Sequence, residues 1–366
     1  MSDQREEFLG LARQPDRNFA DLCRRFGISR KTGYKWLLRP NAHDLSRRPR
    51  SSPTRTAKAL EEKVVELRGE HPAWGGRKLA HVLRRDHSIE LAPSTVTSVL
   101  HRHGLIHPDD SAAHTAWHRF EHAQPNDLWQ IDFKGDFALD EGRCHPLTVI
   151  DDHSRFNIVL TAMSGQTREL VQPALTRAFQ RYGLPERINA DNGPPWGSGG
   201  GGITGLCVWL VRLGVTVSNS RPYHPQTNGK DERFHRTLLA EAVAGRHFTD
   251  LAAVQLCFDQ WRTVYNVKRP HQALCMQTPV ERYRPSRRPM PKTVPAPQYG
   301  LNDQVRSVHS GGFVKFKGKE FRTSQALHGE LVALRPVDDQ DGVYDVFLCH
   351  QRVDRFDLRE VKSAQT

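Results

Sequence analysis

Acid is what this chain has too little of. Against 53 Lys and Arg stand 41 Asp and Glu, giving a net charge of +12 and a pI of about 9.6. The first 110 residues hold 21 Lys and Arg against 14 Asp and Glu, a surplus of seven and over half of the excess. A basic front end is an electrostatic footprint for a polyanion, although charge alone fits a solubilising surface equally well. No apolar run of about 18 residues occurs, so no membrane-spanning helix is expected. The start, Met1 to Glu7, lacks the apolar stretch of a secretory signal. Six cysteines (Cys23, Cys144, Cys207, Cys257, Cys275 and Cys349) include no Cys-x-x-Cys pair. They support neither a zinc finger nor a disulfide framework and read as reduced core thiols of a cytosolic protein. The 366 residues, 37% of them hydrophobic, with a mean hydropathy of -0.63, suggest two to four soluble domains.

What is present begins with helices. Phe19, Leu22, Cys23 and Phe26 share a face at helical spacing, and Gly27 breaks that helix. Ser29 is positioned to cap a second helix over 31–38, which carries Arg30, Lys31, Thr32, Tyr34 and Lys35. Helix, glycine turn and short basic helix form a helix-turn-helix pattern over 1–40, whose second helix enters a DNA major groove. Residues 41–56, with Arg47, Arg48 and Arg50 among prolines, read as a basic linker: either a tracker of phosphates or the minor groove, or a solvated tether. A second helical module, winged-helix-like, is expected over 57–106. Its third helix starts at Pro93 or Ser94 and offers Ser94, Thr95 and Thr97 to DNA. Residues 107–124 read as a connector helix, with His114, His118 and His122 on one solvated face.

Residues 125–284 change pattern. Trp129, Ile131 and Phe133 alternate with Gln130, Asp132 and Lys134 in a strand. Two further strands follow over 145–151 and 155–161, then helix and strand in turn, with a last long helix from Gly229 to about Gly245. Three hairpin strands followed by alternating helix and strand indicate a mixed sheet with flanking helices. The glycine-rich stretch 197–202 reads as a loop. A Pro- and Arg-rich linker over 285–298 leads to short alternating strands in 299–366, expected as a small antiparallel barrel. Lys315 and Lys317 lie on a basic hairpin there, suited to non-specific DNA contact.

Three acids stand out by context. Asp132 lies mid-strand, Asp191 at a strand end before Asn192-Gly193, and Glu232 in the first turn of a helix. Each has an ordinary explanation: a bonded or exposed strand carboxylate, a turn residue, an acid favoured by the helix dipole. Together they are suited to hard divalent cations, which prefer oxygen ligands. Among other acids, Asp151 and Asp152 read as turn-capping residues. Asp231 is expected to point about 100° away from Glu232 around the helix.

The stretches Asn126-Asp-Leu-Trp-Gln-Ile-Asp132, Asp191-Asn-Gly193 and Pro225-Gln-Thr-Asn-Gly-Lys-Asp-Glu-Arg-Phe-His-Arg-Thr237 resemble the DDE transposases of bacterial insertion sequences. The catalytic core of that family is similar to retroviral integrase. The likeness implies a multidomain α and α/β fold: two helix-turn-helix modules, a ribonuclease-H-like mixed-sheet core and a small β-barrel. It also implies that Asp132, Asp191 and Glu232 bind two Mg²⁺ ions (or Mn²⁺) per active site. His224, Asn228, Lys230, Arg233 and Arg236 would then hold DNA phosphates nearby. Between the acids lie 58 and 40 residues. The second interval is longer than in retroviral integrases, which the glycine-rich loop accommodates. The sequence departs from its relatives at Leu239, where many carry Lys or Arg; Arg236 is the candidate substitute. The histidine-cysteine zinc module of retroviral integrases is absent.

The implied activity is that of a DNA transposase, a polynucleotidyl transferase. It would bind element ends in double-stranded DNA, hydrolyse a phosphodiester to free a 3′-hydroxyl, and join that hydroxyl to target DNA. Holding two ends implies a homodimer or larger assembly, with a cytoplasmic, nucleoid-associated location and no membrane partner. The alternatives are a catalytically inactive DNA-binding regulator derived from a transposase, and a metal-dependent nuclease that does not join.

Overall fold

The computed structural model describes residues 2–39, 55–106, 121–197, 202–219 and 229–359. The chain forms two compact units, residues 1–57 and 58–366. In the first, helices α1 (Ser2–Ala12), α2 (Phe19–Arg25) and α3 (Arg30–Leu37) enclose Phe8, Ala12 and Cys23. Asn18 caps α2 by accepting the Asp21 N–H at 3.1 Å, and Ser29 caps α3 by accepting that of Thr32 at 3.1 Å. Gly33 is buried where α3 crosses α2. A Cβ there would lie 2.8 Å from Cys23 Sγ and 2.9 Å from the Phe19 ring, so only glycine allows this close approach.

The second unit opens with α4 (Lys58–Glu70), α5 (Gly76–His87) and α6 (Pro93–Arg102), packed around Val64, Leu67, Trp74, Leu79, Leu83 and Val99. This is the second helical module expected from the sequence. The central sheet follows: β1 (Trp129–Phe133), β2 (Phe137–Ala138), β3 (Arg143–Asp151) and β4 (Asn157–Met163); then α7 (Arg168–Tyr182), β5 (Arg187–Ala190), α8 (Gly205–Arg212) and β6 (Thr216–Asn219). Strands β4, β3 and β1 are antiparallel neighbours, β1, β5 and β6 are parallel ones, and β2 pairs with the start of β3.

The pleat decides which side of this sheet carries chemistry. Trp129 and Ile131 point to the α7 and α8 side and pack with Leu175, Phe179 and Leu210. Gln130 and Asp132 therefore face the opposite side, which α9 (Gly229–Leu238) and α10 (Leu251–Thr263) cover through Phe234, Leu238, Val254 and Phe258. The long helix expected to reach Gly245 ends as α9 at Leu238, and a π-helical turn, Leu239–Val243, continues the path. A second π-helical turn, Val264–Lys268, follows α10, and a short helix, α11 (Pro279–Arg282), precedes the stretch expected as a linker. That stretch is docked on the core. Arg288 donates to the carbonyls of Pro185 at 2.8 Å and Gly214 at 2.6 Å, and Met290 packs on the apolar core.

The tail holds β7 (Gln304–Ser307), β8 (Phe313–Phe316), β9 (Lys319–Arg322), β10 (Leu331–Pro336), β11 (Val343–Leu348) and β12 (Gln351–Asp357). Among the described residues these strands do not close into the expected barrel. They form an open four-stranded sheet, β12-β11-β10-β7, and a separate β8-β9 hairpin around a shared core that includes Val208 and Val211 of α8. The Gln351 side chain reaches the outer edge of the central sheet. Its amide donates to the Val217 carbonyl at 2.9 Å and accepts the Val217 N–H at 2.8 Å, covering an otherwise unpaired strand edge. No helix among the described residues is long and apolar enough to cross a membrane.

Candidate active site and nucleic-acid interface

Asp132 and Asp191 are brought together by strand register. Strands β1 and β5 run parallel with Trp129 beside Ile188 and Gln130 beside Asn189, so the same register continued sets Asp132 beside Asp191 at the carboxyl ends of the two strands. Asp132 accepts the Phe133 N–H at 2.8 Å. Burial pushes its pKa up to about 6, and the neighbouring Asp191 charge pushes the same way. Burial also raises the pKa of Asp191, opposed by the Gly193 N–H. One Asp191 oxygen, Oδ1, is buried with no hydrogen-bond partner among the described residues. Two like-charged carboxylates, one with an orphaned oxygen, are costly to keep without a cation.

Behind Asp132 stands a pair that sequence reasoning missed. Thr148 lies opposite Asp132 across the β1–β3 ladder and donates to the Asp132 carbonyl at 3.0 Å. That uses the only hydroxyl proton, so His235 Nε2, 2.8 Å from Thr148 Oγ1, must be the donor between them. Burial drives the His235 pKa down to about 3, and Lys134 adds to the effect. The ring is neutral, with a bare Nδ1 lone pair 3.8 Å from Asp132 Oδ2. This contact is therefore neither an ion pair nor a hydrogen bond. The pair holds the Asp132 main chain through the Thr148 hydroxyl.

Glu232 is placed differently. The face of α9 turned inward carries Asp231, Phe234, His235 and Leu238, at positions i, i+3, i+4 and i+7. Glu232 is exposed, one helical turn before His235. Asp231 is buried, and its pKa is driven well above the ordinary value by burial, then by the charges of Asp132 and Asp152. The offset between Asp231 and Glu232 expected from helix geometry is present, with Asp231 on the inward side. Among the described residues no three His, Cys, Asp or Glu side chains are grouped as a metal site. The structure thus brings two of the three acids together and leaves the third on the flank of the helix that touches Asp132.

Asp151 and Asp152 have separate tasks. Asp151 caps the turn after β3, accepting the Ser154 N–H at 2.8 Å and the Asn126 N–H at 2.7 Å. Asp152 accepts from Gln130 Nε2 at 2.7 Å and holds Lys230 in a buried ion pair. Lys230, expected at a DNA phosphate, is thus occupied within the protein. Arg233 and Arg236 lie on the exposed face of α9 beside Glu232, and Leu239 is also partly exposed. His224 and Asn228 fall outside the described residues, as do Arg47, Arg48 and Arg50, His114 and His118, and most of the glycine-rich loop.

In the first unit Arg30, Lys31, Tyr34 and Lys35 are exposed along α3, while the Thr32 hydroxyl bonds to Ser29 Oγ at 2.9 Å as part of the cap. In the second module Ser94 is exposed and Thr95 half-buried on α6. Thr97 is turned inward. Its hydroxyl donates to the Pro93 carbonyl at 2.8 Å and sits against Gly76, where a Cβ would come within 2.2 Å of it. In the tail, Lys315 projects outward from β8, whereas Lys317 donates to the Tyr344 hydroxyl at 2.5 Å and lies over the Phe316 and Tyr344 rings.

Known proteins match this chain in several segments. A homeodomain-like domain matches residues 32–100, integrase core domains match 122–225 and 213–279, and the C-terminal domain of IS481 family transposases matches 303–364. An insertion element IS407 protein of Burkholderia multivorans is 32% identical over 43% of this chain and 55% of its own length. An insertion element IS476 protein of Xanthomonas euvesicatoria is 27% identical over 60% of this chain and 63% of its own. The chain thus spans between half and two thirds of these relatives. A simian T-cell lymphotropic virus intasome structure aligns with 83% of this chain and 99% of that one, at 15% identity and a TM-score of 0.40. By its domains and relatives, this chain is similar to the DDE transposases of bacterial insertion sequences, with an integrase core domain at its centre.

Proposed function

We propose that this chain is a DNA transposase. It binds the ends of a mobile element, hydrolyses a phosphodiester to free a 3′-hydroxyl, and joins that hydroxyl to target DNA with the help of divalent metal. The observation that carries the proposal is the buried, unbonded Asp191 Oδ1 beside an Asp132 whose pKa is raised. An oxygen-only donor pair short of positive charge fits Mg²⁺ or Mn²⁺, and Asp132, Asp191 and Glu232 would hold it. Two such ions, when bound, neutralise the attacking and leaving oxygens of an in-line phosphoryl displacement. The protein's own part is positional. The Phe133 N–H and the Thr148–His235 pair hold Asp132, and the Gly193 N–H holds Asp191. No Ser or Tyr nucleophile is needed. Glu232, one turn before His235 on α9, is the third ligand in this reading.

A second choice for the third ligand rests on a specific observation: the Asp231 carboxyl already senses the Asp132 charge. The two helical modules are the DNA readers, through Arg30, Lys31, Tyr34 and Lys35 on α3 and Ser94 and Thr95 on α6, with domain limits as given by the sequence. Arg233 and Arg236 follow phosphates beside the acids, and Lys315 contacts them from the tail. Holding two ends requires at least a homodimer.

The test is purified protein with element-end DNA and Mg²⁺ or Mn²⁺. A nick with a 3′-hydroxyl and a joined product are expected. Binding without any product would instead make the chain a DNA-binding regulator, and cleavage without joining would make it a nuclease.

A further inference from the structure

The tail is built onto the half of the central sheet that carries Asp191. Gln351 bonds to Val217 of β6, Arg212 of α8 forms an ion pair with Glu330 at 2.6 Å, and Val208 and Val211 of α8 lie in the tail's own apolar core. One more contact reaches past α8 to the chain in front of it. Ser324, just after β9, donates its hydroxyl proton to the Ile203 carbonyl at 2.7 Å. The same oxygen accepts the Ala326 N–H at 3.2 Å and so caps the short turn Gln325–Leu327. A hydroxyl has a single proton, and here it is committed to Ile203. The Ile203 side chain is half-buried against the tail core.

Ile203 leads back to Asp191. It forms an antiparallel bridge with Gly197. The N–H groups of Gly197 and Trp196 both donate to the Gly193 carbonyl, at 2.9 and 3.0 Å. A Cβ at Gly197 would come within 2.0 Å of the Asn192 carbonyl oxygen, so the turn is closed tightly on itself. The Gly193 N–H in turn bonds to the Asp191 carboxylate. This turn has two anchors. Trp196, 1% exposed, sits in the core of the central sheet, and Cys207 Sγ donates to its carbonyl at 3.3 Å. The bridge from Gly197 to Ile203 is the second anchor, and the tail holds its far side.

We propose that Ser324 is a positioning residue for Asp191: the tail, acting through Ile203 and Gly197, sets the turn that aims this carboxylate and thereby the affinity of the site for divalent metal. Asp191 has the Gly193 N–H as its guide, while its Oδ1 has no hydrogen-bond partner among the described residues. The direction of the carboxylate therefore follows the turn. Ser324 touches no reacting atom and works only through the backbone it holds. The consequence for metal rests on the reading of Asp191 as a ligand; the mechanical link does not.

The experiment uses the full chain and two readouts. The first is hydrogen–deuterium exchange of the metal-free protein. Ser324→Ala should speed exchange of the amides in 191–197 by about three- to tenfold, the span of one net hydrogen bond, and leave α7 unchanged. Ser324→Thr keeps a hydroxyl and should restore the parent's rates. Ser324→Asp keeps an acceptor for the Ala326 N–H but has no proton for Ile203, so it should behave as Ser324→Ala does. The second readout is Mn²⁺ affinity by electron paramagnetic resonance, which Ser324→Ala should weaken by about the same factor and Ser324→Thr should not. Unchanged exchange in 191–197 overturns the proposal. So does a rise shared equally by α7, which would make Ser324 a general stability residue, and so does parent-like exchange in Ser324→Asp, which would assign its role to the cap. Faster exchange with unchanged Mn²⁺ affinity overturns the link to Asp191. A parent that binds no Mn²⁺ overturns the proposed function and the metal consequence with it, while the exchange result still decides whether the tail sets the turn.

Discussion

Replacing Asp132 by Asn should stabilise the metal-free protein at neutral pH. The native fold holds this carboxyl at a pKa of about 6 against an ordinary 3.8, through burial and the facing Asp191. An acid whose pKa is raised by folding binds its proton more tightly in the native state. The fold bears no penalty below about pH 4, loses stability as pH rises toward about 6, and carries the full loss above that. At full value the displacement corresponds to ~3 kcal/mol. The side chain is 31% exposed, and solvent screening brings the expected figure to about 1–2 kcal/mol. Asn keeps an oxygen for the Phe133 N–H and removes the charge that also burdens Asp231. The assay is urea denaturation of parent and Asp132→Asn at pH 4 and pH 7.5, with and without Mg²⁺. Without metal, the variant should be the more stable at pH 7.5 and nearly equal at pH 4. With Mg²⁺ the parent should gain and the variant should not. A variant less stable at pH 7.5 without metal would refute the charge-repulsion account of this pair.

Two structural predictions accompany it. Gly76→Ala sets a methyl against Thr97 Oγ1 and the Pro93 carbonyl, so the second helical module should lose about 1–3 kcal/mol, read by thermal denaturation. Gln351→Ala removes both hydrogen bonds to Val217. It should cost about 1–3 kcal/mol and expose the β6 edge, so light scattering should show association beyond the parent's own assembly.

Much of the site was legible in the sequence because it follows from periodicity. The alternation of Trp129, Ile131 and Phe133 against Gln130 and Asp132 settles which face Asp132 takes, and Asn192-Gly193 marks the strand end that aligns Asp191 with it. The inward face of α9 carried a signal that the sequence reading did not use: Asp231, Phe234, His235 and Leu238 follow helical spacing, which sets Asp231 and His235 on the face that Phe234 and Leu238 bury. What sequence could not give is pairing at long range. Thr148 and His235 are 87 residues apart and meet only once β3 and α9 are packed. Lys230 looks like a free cation in sequence and becomes one half of a buried pair with Asp152. The Pro- and Arg-rich stretch looks like a tether, but Arg288 finds the Pro185 and Gly214 carbonyls and docks it. The π-helical turn after Leu238 leaves no compositional mark, which is why α9 is shorter than its apolar pattern suggests.

The central claim is that Asp132, Asp191 and Glu232 share divalent cations. Its most direct measurement is Mn²⁺ binding followed by electron paramagnetic resonance on the DNA-bound protein, comparing the parent with Glu232→Gln and Asp231→Asn. The account predicts that Glu232→Gln loses Mn²⁺ while Asp231→Asn retains it. Full Mn²⁺ binding by Glu232→Gln together with its loss in Asp231→Asn would contradict the account and move the third ligand to the inward face of α9.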